Sequence, residues 1–509
     1  MKRVIRGNVG IKLSEIQAIV PNARLVGEDV EIVDLTLDSR EVQHGWAFCC
    51  TKGTRYDGHA FAPQAAAQGA SAFIVSRELP LDVPQLIVPS VRHALGPISS
   101  YLHRYPSERL DLVGITGTNG KTTTSYLLES ILRTAGHNTG IIGTIEARYR
   151  NSQHPSIYTT PEAPELHRTL DEMVREGVDS VVMEVSSHGI DQHRIDATKF
   201  KVAIFTNLTA EHLDYHGTIE QYYSVKAQLF ETVRTELALI CVDDEWGRRL
   251  ASQVTTPVIT FGSHKSADLQ ITEIDVSVNG TEVELKGLGY DVRLHVPIVG
   301  ACNAANAAAA YLAGRSLGAS HEVAVHGIES CESVSGRFQR IDEGQGFLVV
   351  VDYAHTPDSI RNLISTAREI IAPDNRVILV AGARGRRDRL KRPELGRAAA
   401  TADLAVLTMD NPGDEDPSAI VDQLIAGTFD VPEKHFVVEL DRARAIQVAV
   451  DHAQEGDAVL IVGRGHESTL RIGNRQIVLD DRDAARSAIL NRTERAPLDR
   501  VTSSVPNLR

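Results

Sequence analysis

Residues 111–124 read DLVGITGTNGKTTT, and they bring together the residue types a phosphate-binding turn requires. A short apolar run leads into glycines, which let consecutive backbone N–H groups face a single anion. Lys121 has the reach for β- and γ-phosphates, and the Thr122 hydroxyl suits Mg²⁺. The positive end of a helix predicted from Thr122 adds to both. The strict G-x-x-x-x-G-K-[ST] spacing is missed, because Ile115 stands five residues before Gly120 and the nearest glycines are Gly114 and Gly117. A glycine-rich strand-to-helix turn with no ligand is the competing reading.

Other clusters lie at the ends of apolar runs. In SVVMEVSSHG, Glu184 is placed either to complete an Mg²⁺ shell beside Thr122 or to cap a helix. TNLTAEHLDYHG carries His212, Asp214 and His216, as a metal cluster or as solvated loop residues. Lys226, in YYSVKAQLF, reads from its residues alone as a helical lysine at a surface. DYAHTPDS supplies Asp352, His355 and Asp358 for a helix cap or a ligand. ARGRRDRLKRP packs Arg384, Arg386, Arg387, Arg389, Lys391 and Arg392 together, as an anion pocket or a solvated basic loop. VGRGHES offers backbone N–H groups or Glu467 at another strand end.

The elements that must position these groups are those of an α/β protein. At 509 residues the chain is too long for one core, and about three domains are expected. Residues 1–106 mix short strands (IVDLTL, AFIVS, QLIVP) with the alanine-rich FAPQAAAQGASA, and Tyr105-Pro106 marks a boundary. Residues 107–333 alternate strand-like and helical runs, which predicts βαβ units and a parallel sheet. Within them, residues 270–298 read as β-hairpins with a turn at Asn279-Gly280, followed by a helix in NAANAAAAYLAG. Residues 334–509 resume the alternation with GFLVVVDY, RVILVAGA, LAVLTMD and AVLIVGRG, before a polar tail from about Thr493. Open α/β sheets bind ligands at such strand ends, so a shared cleft is expected.

Composition narrows the function further. The content of 42% hydrophobic and 24% charged residues is that of an ordinary globular protein. A net charge of −14 argues against a nucleic-acid groove or an anionic membrane surface. Cys49, Cys50, Cys241, Cys302 and Cys331 lack zinc-like spacing and fit free thiols in a reducing cytoplasm. Lys2, Arg3 and Arg6 precede no apolar run, and no segment approaches a membrane span. A cytoplasmic protein without membrane insertion is expected.

Taken in order, LDSR, DGH, GITGTNGKTTT, TTP, MEVSSHGIDQHR, EHLDYHG, YYSVKAQLF, GACNAAN, GRFQRI, DYAHTPD, KRP, DNP and GHE resemble the Mur ligases, the ATP-dependent amide-forming enzymes of peptidoglycan assembly, and most of all their MurE branch. The displaced loop glycine is also that family's version. The resemblance implies three domains: residues 1–106 for a UDP-sugar, a central P-loop ATPase at 107–333, and a Rossmann-like domain at 334–509 for the incoming amino acid. By that likeness Gly117, Thr118, Asn119, Gly120, Lys121, Thr122 and Thr123 hold ATP phosphates, with Asn303, Arg337 and Asp352 around the rest of the nucleotide. Thr122, Glu184, His212 and a carbamylated Lys226 are the implied Mg²⁺ ligands, which reverses the surface reading of that lysine. Ser39, Thr159, Thr160, Ser186, Gln192 and Arg194 match positions that hold the UDP-MurNAc-dipeptide, and Asn411, Gly463 and Glu467 match contacts to the amino acid. The implied enzyme is a monomer that activates a carboxylate as an acyl phosphate and then forms an amide.

The amino-acid site departs from that pattern. Members that add diaminopimelate resemble DNPR, whose arginine holds the distal carboxylate, but here the fourth residue is Gly413. The usual GDRD-like segment is GARGRRDRL and GKGHE is GRGHE, so a carboxylate-bearing ligand of altered geometry is expected, with Arg387 as a compensating group. A second reading follows: a divergent ligase joining a different carboxylate and amine in another pathway. A third, a nucleotide-dependent scaffold without turnover, is opposed by retention of Lys121, Thr122, Glu184, His212 and Lys226.

Overall fold

The computed structural model describes residues 10–494 apart from 54–55 and 433–434. Lys2, Arg3 and Arg6 and the tail beyond Glu494 lie outside the described residues. Three principal sheets carry the chain. The first has the order Arg24–Val26, Gln85–Ile87, Ala72–Val75, Trp46–Cys49, Asp34–Thr36, parallel except for its first pair. The expected strand IVDLTL divides in two. Val33 turns its N–H to Gly45 O (2.8 Å), so Glu31–Ile32 pairs with Ile11–Lys12 in a separate ribbon while Asp34–Thr36 joins the sheet.

The second sheet is an eleven-stranded mixed sheet. Its middle is parallel, with Asp111–Thr116 between Ser180–Glu184 and Phe200–Phe205. Val113 and Ile115 on that strand pack beneath Leu127, Leu128 and Ile131 of the helix Lys121–Thr134. Each such fully buried aliphatic side chain contributes about 1.5–3 kcal/mol. The alanine-rich segment is the helix Cys302–Ser316, whose small side chains let it lie close against Lys121–Thr134. The hairpin region is realised as three antiparallel strands, Leu269–Ser277, Gly280–Gly287 and Tyr290–Val296, which extend the same sheet. Ser277 pairs with Gly280, so the turn is centred on Val278 and Asn279, one residue earlier than Asn279-Gly280 predicts.

The third sheet has six strands and is parallel apart from Gln339–Arg340. Leu348–Asp352, Val377–Ala381, Leu404–Leu407 and Ala458–Val462 are the four apolar runs seen in the sequence. Near-continuous burial on both faces accounts for their unbroken Val/Ile/Leu composition. Among the described residues no helix is long and apolar enough to cross a membrane.

Candidate active site

The carboxyl ends of the parallel strands in the second and third sheets converge on a cleft of about 1250 Å³, which Lys52, Gly53 and Arg92 close from the first. Thr118 to Thr123, Thr159, Glu184, Ser186, Gln192, Arg194, His212, Asn303, Arg337, Asp352, Arg387 and Glu467 all line it.

The loop after Asp111–Thr116 bends at Gly117 (φ +148°) and Gly120 (φ +89°). A Cβ at Gly117 would lie 1.9 Å from Thr206 Oγ1, and one at Gly120 would lie 2.3 Å from Asn306 Oδ1. Gly114, by contrast, sits inside the strand against Phe200 and takes no part in the bend, which explains the displaced spacing. Thr118 N–H donates to Asn207 O and Asn119 N–H to Asn207 Oδ1, each at 2.9 Å. The helix begins at Lys121, one residue before the expected start. Lys121 Nζ donates to Gly117 O (2.9 Å) and Thr118 O (2.8 Å), and burial lowers its pKa against the opposing pull of Glu184 and Glu211.

Glu184 ends its strand fully buried. Its Oε1 accepts from Thr122 Oγ1 (3.0 Å) and Thr144 N–H (2.9 Å), and its Oε2 accepts from Thr144 Oγ1 (2.9 Å). Arg337, from the third sheet's side, donates to Thr122 Oγ1 at 3.0 Å and lies over the Tyr353 ring at 4.8 Å. His212 (φ +57°) stands edge-on to His188, their ring centres 4.8 Å apart, and burial lowers its pKa to about 3, leaving a neutral imidazole. Lys226 is fully buried rather than at a surface. Its Nζ donates to Gly117 O (2.8 Å) and Thr116 Oγ1 (3.4 Å) and lies over the Tyr222 ring at 4.6 Å. Burial first, and then the Lys121 charge, hold its pKa well below the usual lysine range.

Asn303 donates to Val299 O (3.1 Å) and accepts from Asn306 Nδ2 (3.0 Å), while Asp352 accepts from Phe338 N–H and Ala354 N–H, both at 2.6 Å. Arg194 is fixed by Thr160 O and Gln192 Oε1, each at 2.8 Å, and by Glu162 at 3.2 Å. Thr160 is buried behind this wall, where its Oγ1 accepts from Ser186 N–H (2.9 Å). Ser39 is not on the cleft wall; its hydroxyl donates to Gln64 Oε1 (3.0 Å) within the first sheet's unit. Gly117, at the loop's first bend, and Lys226, buried against Gly117 O, are not on the cleft wall. Asn411 lines a second cavity of about 910 Å³, which Glu467 also lines, and Asn411 Nδ2 donates to Glu467 Oε2 (2.8 Å). Gly463 is at the strand end, where its N–H donates to Asp352 O (3.2 Å).

The structure adds residues that the sequence reading passed over. Thr144 holds both oxygens of Glu184. Glu211, buried in the EHLDYHG motif, has His355 Nε2 at 3.0 Å and Lys391 Nζ at 3.5 Å; burial opposes its ionisation, but these neighbours hold its pKa well below the usual carboxylate range. The basic run is not a uniform anion pocket. Arg392 is buried against Glu415 (2.8 Å), Arg389 and Arg386 pair with Glu415 and Asp414, and Arg384 pairs with Glu467 on the cleft floor. Arg464 is also fully buried, donating to three backbone carbonyls, those of Glu467, Thr469 and Leu479. Within that run, Arg387 alone has no carboxylate partner among the described residues.

Family models match residues 31–101 (Mur ligase family, catalytic domain), 115–314 (Mur ligase middle domain) and 336–465 (Mur ligase, glutamate ligase domain). A UDP-N-acetylmuramoyl-L-alanyl-D-glutamate–2,6-diaminopimelate ligase of Geobacillus kaustophilus is 40% identical over 474 residues, 92% of this chain and 96% of the relative. The enzyme of the same name from Solibacter usitatus is 41% identical over 488 residues, 95% and 98% of the two chains. A solved structure of a ligase of that name superposes with TM-score 0.66 at 29% identity, covering 95% of this chain and all of the other. MurF from Acinetobacter baumannii shares the fold at TM-score 0.65 and 22% identity, over 89% and 94% of the chains. With family models over three successive stretches and relatives alike along nearly its whole length, the chain belongs to the Mur ligase family.

Proposed function

We propose that this protein is an ATP-dependent ligase that adds an amino acid to UDP-N-acetylmuramoyl-L-alanyl-D-glutamate in peptidoglycan precursor synthesis, acting in the cytoplasm. One observation carries this reading: Thr122 Oγ1 receives Arg337 Nη2 and donates to Glu184, each at 3.0 Å. A phosphate loop, a strand-end carboxylate and a guanidinium from the third sheet thus meet at one hydroxyl. In this reading the first sheet's unit holds the UDP-sugar, the second binds ATP and the third receives the amino acid.

The donor set suits Mg²⁺. Thr122 Oγ1 and Glu184 are hard oxygen donors in contact, and among the described residues no three of His, Cys, Asp and Glu converge into a cage. That pattern fits two ions, each held mainly by phosphate and water oxygens with one or two protein ligands. Thr122, Glu184, neutral His212 and carbamylated Lys226 are the residues that would hold them. Bound there, Mg²⁺ offsets the negative charge that repels a carboxylate from a phosphate. Carbamylation of Lys226 is supported by its burial and lowered pKa, since only a neutral amine attacks CO₂.

Lys121 and Arg337 supply the fixed positive charge at the loop, where the substrate carboxylate attacks the γ-phosphate to give an acyl phosphate and ADP. Thr144 keeps Glu184 oriented. The free amine of the amino acid then attacks the acyl carbon, phosphate leaves, and the amine proton passes to solvent or a nearby base. Walls from three units exclude water from the acyl phosphate.

The test is phosphate release from ATP with UDP-N-acetylmuramoyl-L-alanyl-D-glutamate and a panel of amino acids, with product mass determined. A tripeptide product is expected. Protein that binds ATP yet forms no product with any amine would overturn the reading in favour of the divergent ligase suggested by the arginine-rich loop.

A further inference from the structure

The second cavity, of about 910 Å³, meets the main cleft along a common wall of Thr144, Ser156, His466 and Glu467. The two sides of that neck belong to different parts of the reaction. Thr144 holds Glu184, the partner of Thr122 at the phosphate loop. Glu467 is at the amino-acid end. The groups implied there divide between the two spaces: Arg387 lines only the main cleft, Glu467 lines both, and Asn411 lines only the second cavity. Asn411 Oδ1 also accepts from Arg471 N–H (2.9 Å), which ties the neck to the second cavity's rim.

The lining of the second cavity is dipolar. Its buried side carries Glu129 and Glu146, with Arg148 3.5 and 2.9 Å from them, so two carboxylates share one guanidinium. Ser130 Oγ is buried there with no hydrogen-bond partner among the described residues, as is His466 Nδ1 at the neck. Buried polar atoms of this kind are satisfied by water or a ligand. The exposed part of the lining has Arg133 and Arg471, neither paired with a carboxylate among the described residues, and one acid, Glu332. A negative wall inside a positive rim matches a molecule that carries both an ammonium and a carboxylate. It opposes a polyphosphate, whose charges are all negative.

The order of the chemistry gives such an opening a use. The amine is needed only after the acyl phosphate has formed, when ADP and the activated UDP-dipeptide occupy the main cleft. Reopening that cleft would admit water to an intermediate that water destroys. An opening that ends at Glu467 admits the amine with the nucleotides in place.

Resting on the ligase reading above, we propose that the second cavity is a separate entrance for the free amino acid, which passes from the rim at Arg133 and Arg471 along Glu129 and Glu146 to the neck at Thr144 and Glu467.

Arg133→Glu reverses the charge of the rim and Ser333→Trp narrows the mouth; both positions are exposed and neither lines the main cleft. The full-length parent and both variants are assayed for ligation of meso-diaminopimelate and L-lysine. Hydroxamate formation is measured in parallel, with hydroxylamine, small and uncharged, intercepting the acyl phosphate in place of the amino acid. The exchange rate of each isotope-labelled amino acid, with protein already holding a non-hydrolysable ATP analogue and the UDP-dipeptide, is read from NMR line widths. Exchange is expected to slow by about 10-fold in both variants, with the KM for ATP and the rate of hydroxamate formation unchanged. The narrowing variant decides: slower exchange in Ser333→Trp upholds the entrance, and an unchanged rate overturns it. Should that variant not fold, Arg133→Glu decides by the same rule. Hydroxamate formation that falls in step with ligation also overturns it, because the activation step would then be what the variants damage. If the parent joins neither amino acid, the exchange rates decide by themselves, and a parent that exchanges neither overturns the entrance. Absence of hydroxamate as well would mark failure of the ligase reading.

Discussion

Lys121 and Lys226 reach the same carbonyl, Gly117 O, at 2.9 and 2.8 Å. Two ammonium groups on one acceptor repel, and the one farther from water yields its proton more readily. Lys226 is that group, with its pKa held lower by burial and by Lys121, while Lys121 keeps Glu184 and Glu211 as opposing charges. The pair thus divides the work, with Lys121 as the cation for phosphate and Lys226 as the amine open to modification. Lys121→Ala is expected to lower turnover by about 10²–10³-fold or more, since a preorganised charge at the transferred phosphate is lost. Unchanged phosphate release would refute the proposed ATP site. Lys226→Ala is expected to lose activity and regain part of it with added formate or acetate, which replace a carbamate's oxygens. Failure of both acids in a variant with wild-type melting behaviour would refute carbamylation.

At the scale of elements, the strand–loop–helix from Asp111 to Thr134 shows how local sequence sets a site. Gly117→Ala places a Cβ 1.9 Å from Thr206 Oγ1, whose own hydrogen bond to Asn119 O (2.6 Å) fixes the loop's crest. The variant is expected to lose ATP binding and about 2 kcal/mol or more of stability. Gly136→Ala, just past the far end of the same helix, also has a positive φ (+89°) but nothing within 4 Å. It should lose about 1 kcal/mol and keep ATP affinity; equal affinities in the two variants would disprove a special role for the crest. This loop was legible in the sequence because its chemistry lies within one short stretch, and the strand-end residues Glu184 and Asp352 were legible for the same reason. Glu211, Thr144 and Arg384 were not, because their roles come from partners far away in sequence: His355 and Lys391, Glu184, and Glu467. The basic run misled for a related reason. Charge density in a sequence does not reveal that Arg392 is buried against Glu415 or that Arg384 is taken up by Glu467.

For the whole molecule, the first and second sheets' units must keep a fixed relation if a UDP-sugar and ATP are to meet. One link in that relation is His103, buried between Asp34 (3.4 Å) and Asp171 (3.5 Å). Arg168 joins Asp34 from the helix Ala163–Arg175, and Arg109 joins Asp171. Burial works against the imidazolium, but the two aspartates outweigh it and raise the His103 pKa above 6.5. A group whose pKa is higher in the folded state than in the unfolded state stabilises the fold fully below the unfolded value, about 6.5, and loses that contribution as pH rises through the folded value. Asp34 and Asp171 have the opposite sign: their lowered pKa values stabilise the fold above about 3.8, and that contribution is lost in acid. Stability should therefore fall as pH is raised from 6.5, with a slope of at most about 1.4 kcal/mol per pH unit for a single proton. His103→Gln keeps hydrogen-bonding capacity but cannot titrate, so it should be less stable than the parent at pH 6 and lose this slope above pH 6.5. Denaturant unfolding of both proteins between pH 6 and 9 measures the difference directly. Parallel stability curves would mean that folding does not favour the His103 imidazolium and that the junction between the two units rests on its other contacts, Arg168 with Asp34, Arg92 with Glu162 and Ser100 with Ala197 O among them.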